Sequence, residues 1–204
     1  IKAGKGCAAV AGDTTKVRCT TSGATSQIRV VLGDKNDKVY NTTGVRMRAE
    51  GNSGQDILWG GSNGDELIGG TDNDTLSGGA GHDHLDDVYG NNWMSGGPGD
   101  DTIDGGYGND LLLGGDGNDA LNGFAGNDTI YGDNGNDGIV GHLGNDIAYG
   151  GNGNDGIDGL EGDDKLYGGP GNDRINGDAG NDTIAGNAGT DKLNGGTGRN
   201  TVTQ

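Results

Sequence analysis

The stretch GGYGNDLLLGGDGNDALNG, residues 105–123, sets Asp110 and Asp119 five residues after the first glycine of a Gly-Gly pair, and Leu112 and Leu121 two residues beyond each acid. Continued in both directions, this register divides residues 51–203 into 17 consecutive nonapeptides with no insertion or deletion. A period held over that length marks a repeat architecture. With Gly51 as position 1, that position is glycine in 16 of 17 units, Asp87 being the exception, and position 4 is glycine in 15, the exceptions being Asn63 and Asp72. Asn and Asp tolerate a left-handed backbone better than other side chains, so positive φ is expected at position 4. Position 6 is aspartate in 15 units and asparagine at Asn92 and Asn200, while position 8 is Leu, Ile, Val or Met in every unit but the one with Ala148.

Composition alone points elsewhere. Leu, Ile, Val and Phe make up 34 of 204 residues, 49 are glycine and the net charge is −18, a profile usual in disordered chains. The periodic glycines and the uneven charge argue against that reading. Residues 1–50 hold nine Lys/Arg and four Asp/Glu, for +5, which leaves four bases and 27 acids, for −23, in residues 51–204. The chain therefore divides into an N-terminal region, 1–50, and a repeat region, 51–204.

Each nonapeptide is expected to form a six-residue turn and a three-residue strand whose middle side chain, at position 8, points inward. Two nonapeptides close one turn of a coil, so a rung takes about 18 residues and has a strand on each side. Stacking the rungs at about 4.8 Å joins single aliphatic residues into two continuous ladders. Residues two units apart then lie above one another. Asp56, Asp74, Asp110, Asp128, Asp146, Asp164 and Asp182 fall in one column, and Asp65, Asp83, Asp101, Asp119, Asp137, Asp155, Asp173 and Asp191 in the other. Carboxylates stacked at strand spacing repel, and they stay ionised together only if a cation lies between them. Glycine-rich turns aim backbone carbonyls into the same gap. Carboxylate and carbonyl oxygens, without sulfur or a histidine cluster, suit a hard divalent cation, and a flexible oxygen cage favours calcium over magnesium.

The pattern G-G-x-G-x-D-x-(aliphatic)-x resembles the nonapeptide of the RTX (repeats-in-toxin, hemolysin-type) family, over about three quarters of the chain. The resemblance implies an all-β fold, a right-handed parallel β-roll with calcium bound between successive turns on the same side. It further implies that the position-6 aspartates and turn carbonyls are the ligands and that the repeats fold on meeting extracellular calcium. Twelve same-column neighbour pairs have Asp at both ends, five in one column and seven in the other, so about a dozen calcium ions are expected. Sites beside Asn92 and Asn200 are expected to be weakened or absent, and Asn63 and Asp72 depart from the family's glycine.

Residues 1–50 read as an N-terminal β cap of degenerate rungs covering the first open edge. Gly12-Asp13 is expected to be a hairpin turn between Ala8-Ala9-Val10 and Lys16-Val17-Arg18, and a Cys7–Cys19 disulfide would close it in an oxidising compartment, whereas a cytosolic chain would keep two free thiols. Ile28-Arg29-Val30-Val31-Leu32 and Val45-Arg46-Met47-Arg48 alternate as strands do. In this arrangement the chain is similar to stand-alone secreted calcium-binding proteins of actinobacterial type. Ile1-Lys2-Ala3-Gly4 opens without an apolar run, so either an export leader has been removed or the sequence begins after it. No stretch approaches the length of a membrane span.

No H-E-x-x-H or G-x-S-x-G motif is present, and the expectation is a protein that is not an enzyme. His82 and His84 read as a solvated pair, and the −23 repeat region disfavours nucleic acid. Positions 7 and 9 of the odd units share one outer face, where Ile57, Trp59, Trp93, Leu111, Leu113, Tyr131, Ile147, Tyr149 and Tyr167 gather, while the even units give a polar face. An aromatic strip of that kind suits a partner, a second copy or a cell-surface or polysaccharide ligand, and the open β-edge of the last rung, after Val202, is expected to pair end to end or side by side with a second copy or to fray. Two alternatives stand beside a secreted, calcium-folded interaction protein. One is a folding and secretion module of a larger secreted enzyme, the other an ice- or polysaccharide-binding adhesin module.

Overall fold

A computed structural model describes residues 27–204 in full and, within residues 1–26, the backbone of the strands Lys2–Ala3, Cys7–Ala9 and Lys16–Cys19. The regular recurrence of aliphatic positions coils the chain into an all-strand parallel β-solenoid of about ten turns. Odd units stack into a twelve-stranded sheet and even units into an eleven-stranded one. Ladder partners in the repeat region lie two units apart in sequence, as Trp93, Leu111 and Thr129 do. Position 8 forms the core between the sheets. From Leu58 to Ile184 these side chains are at most 1 % exposed, whereas Leu193 is only partly buried and Val202 is 44 % exposed.

The strands are longer than the sequence pattern predicts. Leu111–Asp116, Ala120–Ala125 and most later ones have six residues, because positions 7–9 run on into positions 1–3 of the next unit. Glycine permits this. Gly115, at position 2 with φ of +116°, bends the strand while keeping its ladder partners Gly97 and Asp133. The turn shrinks to positions 4–6. Left-handed backbone at position 4 occurs at Asp72, φ 78°, but not at Asn63, whose side-chain amide instead donates to the Gly44 carbonyl.

Both sheets continue on the N-terminal side of Gly51. Ile28–Val31 pairs in parallel with Met47–Ser53, and Lys38–Asn41 with Ile57–Gly61, at a sequence spacing one longer than in the repeats (Ile28 to Met47, Lys38 to Ile57). Lys2–Ala3 and Cys7–Ala9 run antiparallel on Ile28–Val31 and Lys16–Cys19 and so end the parallel stacking. Cys7 and Cys19 are partners in that antiparallel ladder. Their side chains, with the predicted disulfide, and the Gly12-Asp13 turn lie outside the described residues.

Candidate metal centre

Stacking of every second unit carries each position-6 aspartate under its neighbour, and the two carboxylate oxygens then take different tasks. One oxygen holds the turn. Oδ1 of Asp128 accepts the Asp110 backbone N–H at 2.8 Å, Oδ1 of Asp146 accepts that of Asp128 at 2.8 Å, and the same bond recurs along both columns. The other oxygen has no partner. Oδ2 of Asp56, Asp65, Asp74, Asp83, Asp101, Asp110, Asp119, Asp128, Asp137, Asp146, Asp155, Asp164, Asp173 and Asp182 is buried and accepts no hydrogen bond. Asp191 differs: it is half-buried and its Oδ2 accepts from the Gln204 side chain at 3.0 Å.

Position 1 forms the wall of each gap. A Cβ placed on Gly123 would lie 2.4 Å from Asp128 Oδ2 and 2.9 Å from the Gly141 carbonyl oxygen, so both oxygens border one volume that only glycine leaves open. Gly114 repeats the arrangement with Asp119 Oδ2 at 2.4 Å and the Gly132 carbonyl at 2.7 Å. No three acidic, histidine or cysteine side chains converge among the described residues. Carboxylates must therefore be supplemented by backbone carbonyls, an all-oxygen donor set matching a hard cation of high coordination number.

Burial makes that cation consequential. Desolvation pushes the Asp56, Asp101 and Asp128 carboxyls up to about 7 and those of Asp65, Asp74, Asp110, Asp137, Asp146, Asp155 and Asp164 to about 6, against the opposing effect of the backbone N–H donors. An unpaired buried carboxylate costs several kcal/mol, and the column reduces that cost either by taking protons or by sharing a divalent cation. The orphaned oxygens and the glycine-walled gaps fit calcium. The aspartate columns and turn carbonyls would hold it, and it would supply the positive charge that lets adjacent turns stack with both carboxylates ionised.

Two units depart from the rule. Asn92 and Asn200 keep the turn-holding bond, accepting the N–H of Asp74 at 2.9 Å and of Asp182 at 2.7 Å, but each turns an amide donor toward a position-1 carbonyl, of Gly105 at 3.4 Å and of Gly195 at 2.6 Å. Asp87, at position 1, is 3 % exposed, and burial together with the neighbouring Asp74 charge pushes its carboxyl up to about 8. His82 and His84 are both exposed, and the His82 ring accepts the Asp100 N–H at 2.9 Å.

The outer face of the twelve-stranded sheet carries Tyr131, Tyr149 and Tyr167 stacked with centroids 4.9 Å apart, beside half-buried Leu111, Leu113 and Ile147. Trp59 and Trp93, 49 % and 37 % exposed, flank a depression of 280 Å³ lined by Thr75 and Ser77. The opposite face is not uniformly polar. Tyr107, Phe124, His142 and Leu143, at positions 2 and 3 of their units, line a groove of 390 Å³ with Asp86 and Asp104; the extended strands carry the last three, and Tyr107 forms an isolated bridge to Ala125. Phe124 and His142 stack at 5.0 Å, and Tyr89 and Tyr107 at 5.2 Å. A sign of this row was present in the sequence, since Phe124, His142 and Leu160 occupy the place of the second glycine and adopt φ of 71°, 77° and 78°.

Compared with known families, the chain matches the RTX calcium-binding nonapeptide repeat over residues 50–85, 88–121, 104–139, 139–166 and 167–202. No curated protein gives a match. Among the described residues no helix is long and apolar enough to cross a membrane.

Proposed function

Because the chain belongs to the RTX calcium-binding nonapeptide repeat family and binds calcium through those repeats, we propose that it is a secreted, non-catalytic protein. In this reading calcium completes its fold outside the cell, and the finished rod offers its aromatic face to a partner. The observation that carries the reading is the set of buried, unpartnered Oδ2 atoms along both columns. Such columns are costly without metal, and protein modules of extracellular type bind calcium at about 10⁻⁴–10⁻³ M. Export delays folding until that concentration is met. A Cys7–Cys19 disulfide belongs to the same setting, since partners across an antiparallel pair lie at about 4.5–5.5 Å between Cα atoms, within disulfide range.

About a dozen ions fill the columns in this reading, with the regular Asp–Asp gaps as the sites. The aromatic face serves side-by-side contact with a second copy or with a cell-surface polysaccharide. Ring faces in the Tyr131–Tyr149–Tyr167 stack are spent on one another, so a partner meets ring edges there and open ring surface at Trp59 and Trp93. Circular dichroism with EDTA is expected to show a largely unfolded chain that gains β signal on adding calcium, since metal binding and folding are one event. A spectrum indifferent to calcium would overturn the reading. Light scattering under the same two conditions separates the partner classes: a calcium-dependent rise in mass supports self-association, and a monomer throughout leaves an external ligand.

A further inference from the structure

The fifth repeat unit, DVYGNNWMS (residues 87–95), carries asparagine where the column requires aspartate and aspartate where the wall requires glycine. The two departures meet in space. Asn92 Oδ1 accepts the Asp74 N–H at 2.9 Å and so keeps the turn-holding half of the aspartate's task, but its second terminal atom is an amide donor, which repels a cation. Asp87 does the reverse. Its Oδ1 accepts the N–H of Val88 at 2.7 Å, and its Oδ2 is buried and unpartnered. That free oxygen points back toward the preceding odd turn. A Cβ built on Gly69 would lie 1.9 Å from Asp87 Oδ2 and 2.7 Å from Asp74 Oδ2, so two carboxylate oxygens border a volume that elsewhere receives one carboxylate and one carbonyl.

From this juxtaposition we infer that Asp87 and Asp74 form a calcium site of their own, in which the charge missing at Asn92 is supplied from position 1 of the same unit. The inference rests on the reading of the columns as calcium sites. It assigns a ligand that the nonapeptide pattern does not contain, and it separates two gaps treated alike in the sequence. The gap between Asp74 and unit five holds an ion, while the gap between Asn92 and Asp110, where the Asn92 amide donates to the Gly105 carbonyl, does not. Asn200 supplies the contrast. Its amide also donates to a position-1 carbonyl, that of Gly195 in its own unit, but position 1 there is glycine, so nothing replaces the lost carboxylate.

Native mass spectrometry of the full chain in calcium counts ions as integers. Asp87→Asn is expected to bind one ion fewer than the parent chain. The double variant Asp87→Gly, Asn92→Asp, which returns the carboxylate to position 6, is expected to bind one ion more than the parent, because it keeps the ion beside Asp74 and fills the gap between residue 92 and Asp110. An unchanged count in Asp87→Asn, or a change other than a gain of one in the double variant, overturns the inference. Should Asp87→Asn fail to fold, the double variant decides: a gain of one supports the exchange, and a gain of two, the mark of an empty parent gap beside Asp74, refutes it. A parent chain that binds no calcium would instead refute the reading of the columns as a whole, so the two failures are distinguishable.

Discussion

At Gly123 a missing methyl group keeps a gap open. A Cβ there would meet Asp128 Oδ2 at 2.4 Å and the Gly141 carbonyl at 2.9 Å, both fixed by the ladder, so neither side can give way without loosening the turn. Gly138, on an outer strand position, faces nothing nearer than 3.9 Å. Gly123→Ala is therefore expected to raise the calcium concentration needed for half-folding by about tenfold or more, equivalent to about 1.4 kcal/mol or more. Gly138→Ala should leave it unchanged or slightly lower, through reduced freedom of the unfolded chain. Calcium titrations followed by circular dichroism compare the two, and equal shifts would show that the position-1 gap is not special. The same scale explains which parts of the site were legible in the sequence. The aspartate columns could be read because one chemical requirement recurs in every nonapeptide. The role of Asp87 could not, because in the sequence it is only a broken glycine, and its carboxylate meets Asp74 only once the turns are stacked.

Among the strands, the tyrosine stack offers the clearest energetic test. Tyr149 lies between Tyr131 and Tyr167, with ring planes within 6° and 12° of parallel, whereas Tyr131 has one aromatic neighbour and Leu113 on its other side. An aromatic pair contributes about 0.5–1.5 kcal/mol beyond buried area. Tyr149→Ala is thus expected to destabilise the calcium-loaded protein by about 1–3 kcal/mol and Tyr131→Ala by about half as much. Urea unfolding in saturating calcium measures both, and equal losses would mean that the rings act only as covering area. The alternation of positions 7 to 9 made this face readable in advance. The opposite row of Tyr107, Phe124, His142 and Leu143 was missed because positions 2 and 3 read as turn, whereas Ala120–Ala125 and Gly138–Leu143 run on through them at positive φ and Tyr107 joins by an isolated bridge to Ala125. Fold class and core thus follow from periodicity, and strand length follows from a backbone property that periodicity does not report.

For the whole rod, the columns couple folding to protons as well as to calcium. Desolvation raises the carboxyls of the folded, metal-free chain to about 6 or 7, as at Asp128 and Asp137, while the unfolded chain titrates them near the ordinary value of 3.8. The folded state therefore binds more protons than the unfolded state between those limits, and stability falls as pH rises through that range. The contribution is fully present below about pH 3.8 and is lost as pH passes through about 6 to 7. Repulsion across a chain of net charge −18 acts in the same direction, because protonation relieves it. Without calcium, then, acidification from pH 8 to pH 5 is expected to bring back β signal, with protons standing in for the metal. Because protons then carry part of the folding that calcium otherwise drives, the calcium concentration at half-folding should fall as pH drops below 7, even though each folded site binds calcium more weakly there. Circular dichroism in a chelator, recorded at pH 8 and pH 5, checks the first expectation, and calcium titrations at pH 7.5 and pH 6 check the second. A chelated chain equally unfolded at both pH values would show that the orphaned oxygens of the folded rod are not what holds it apart when calcium is withdrawn.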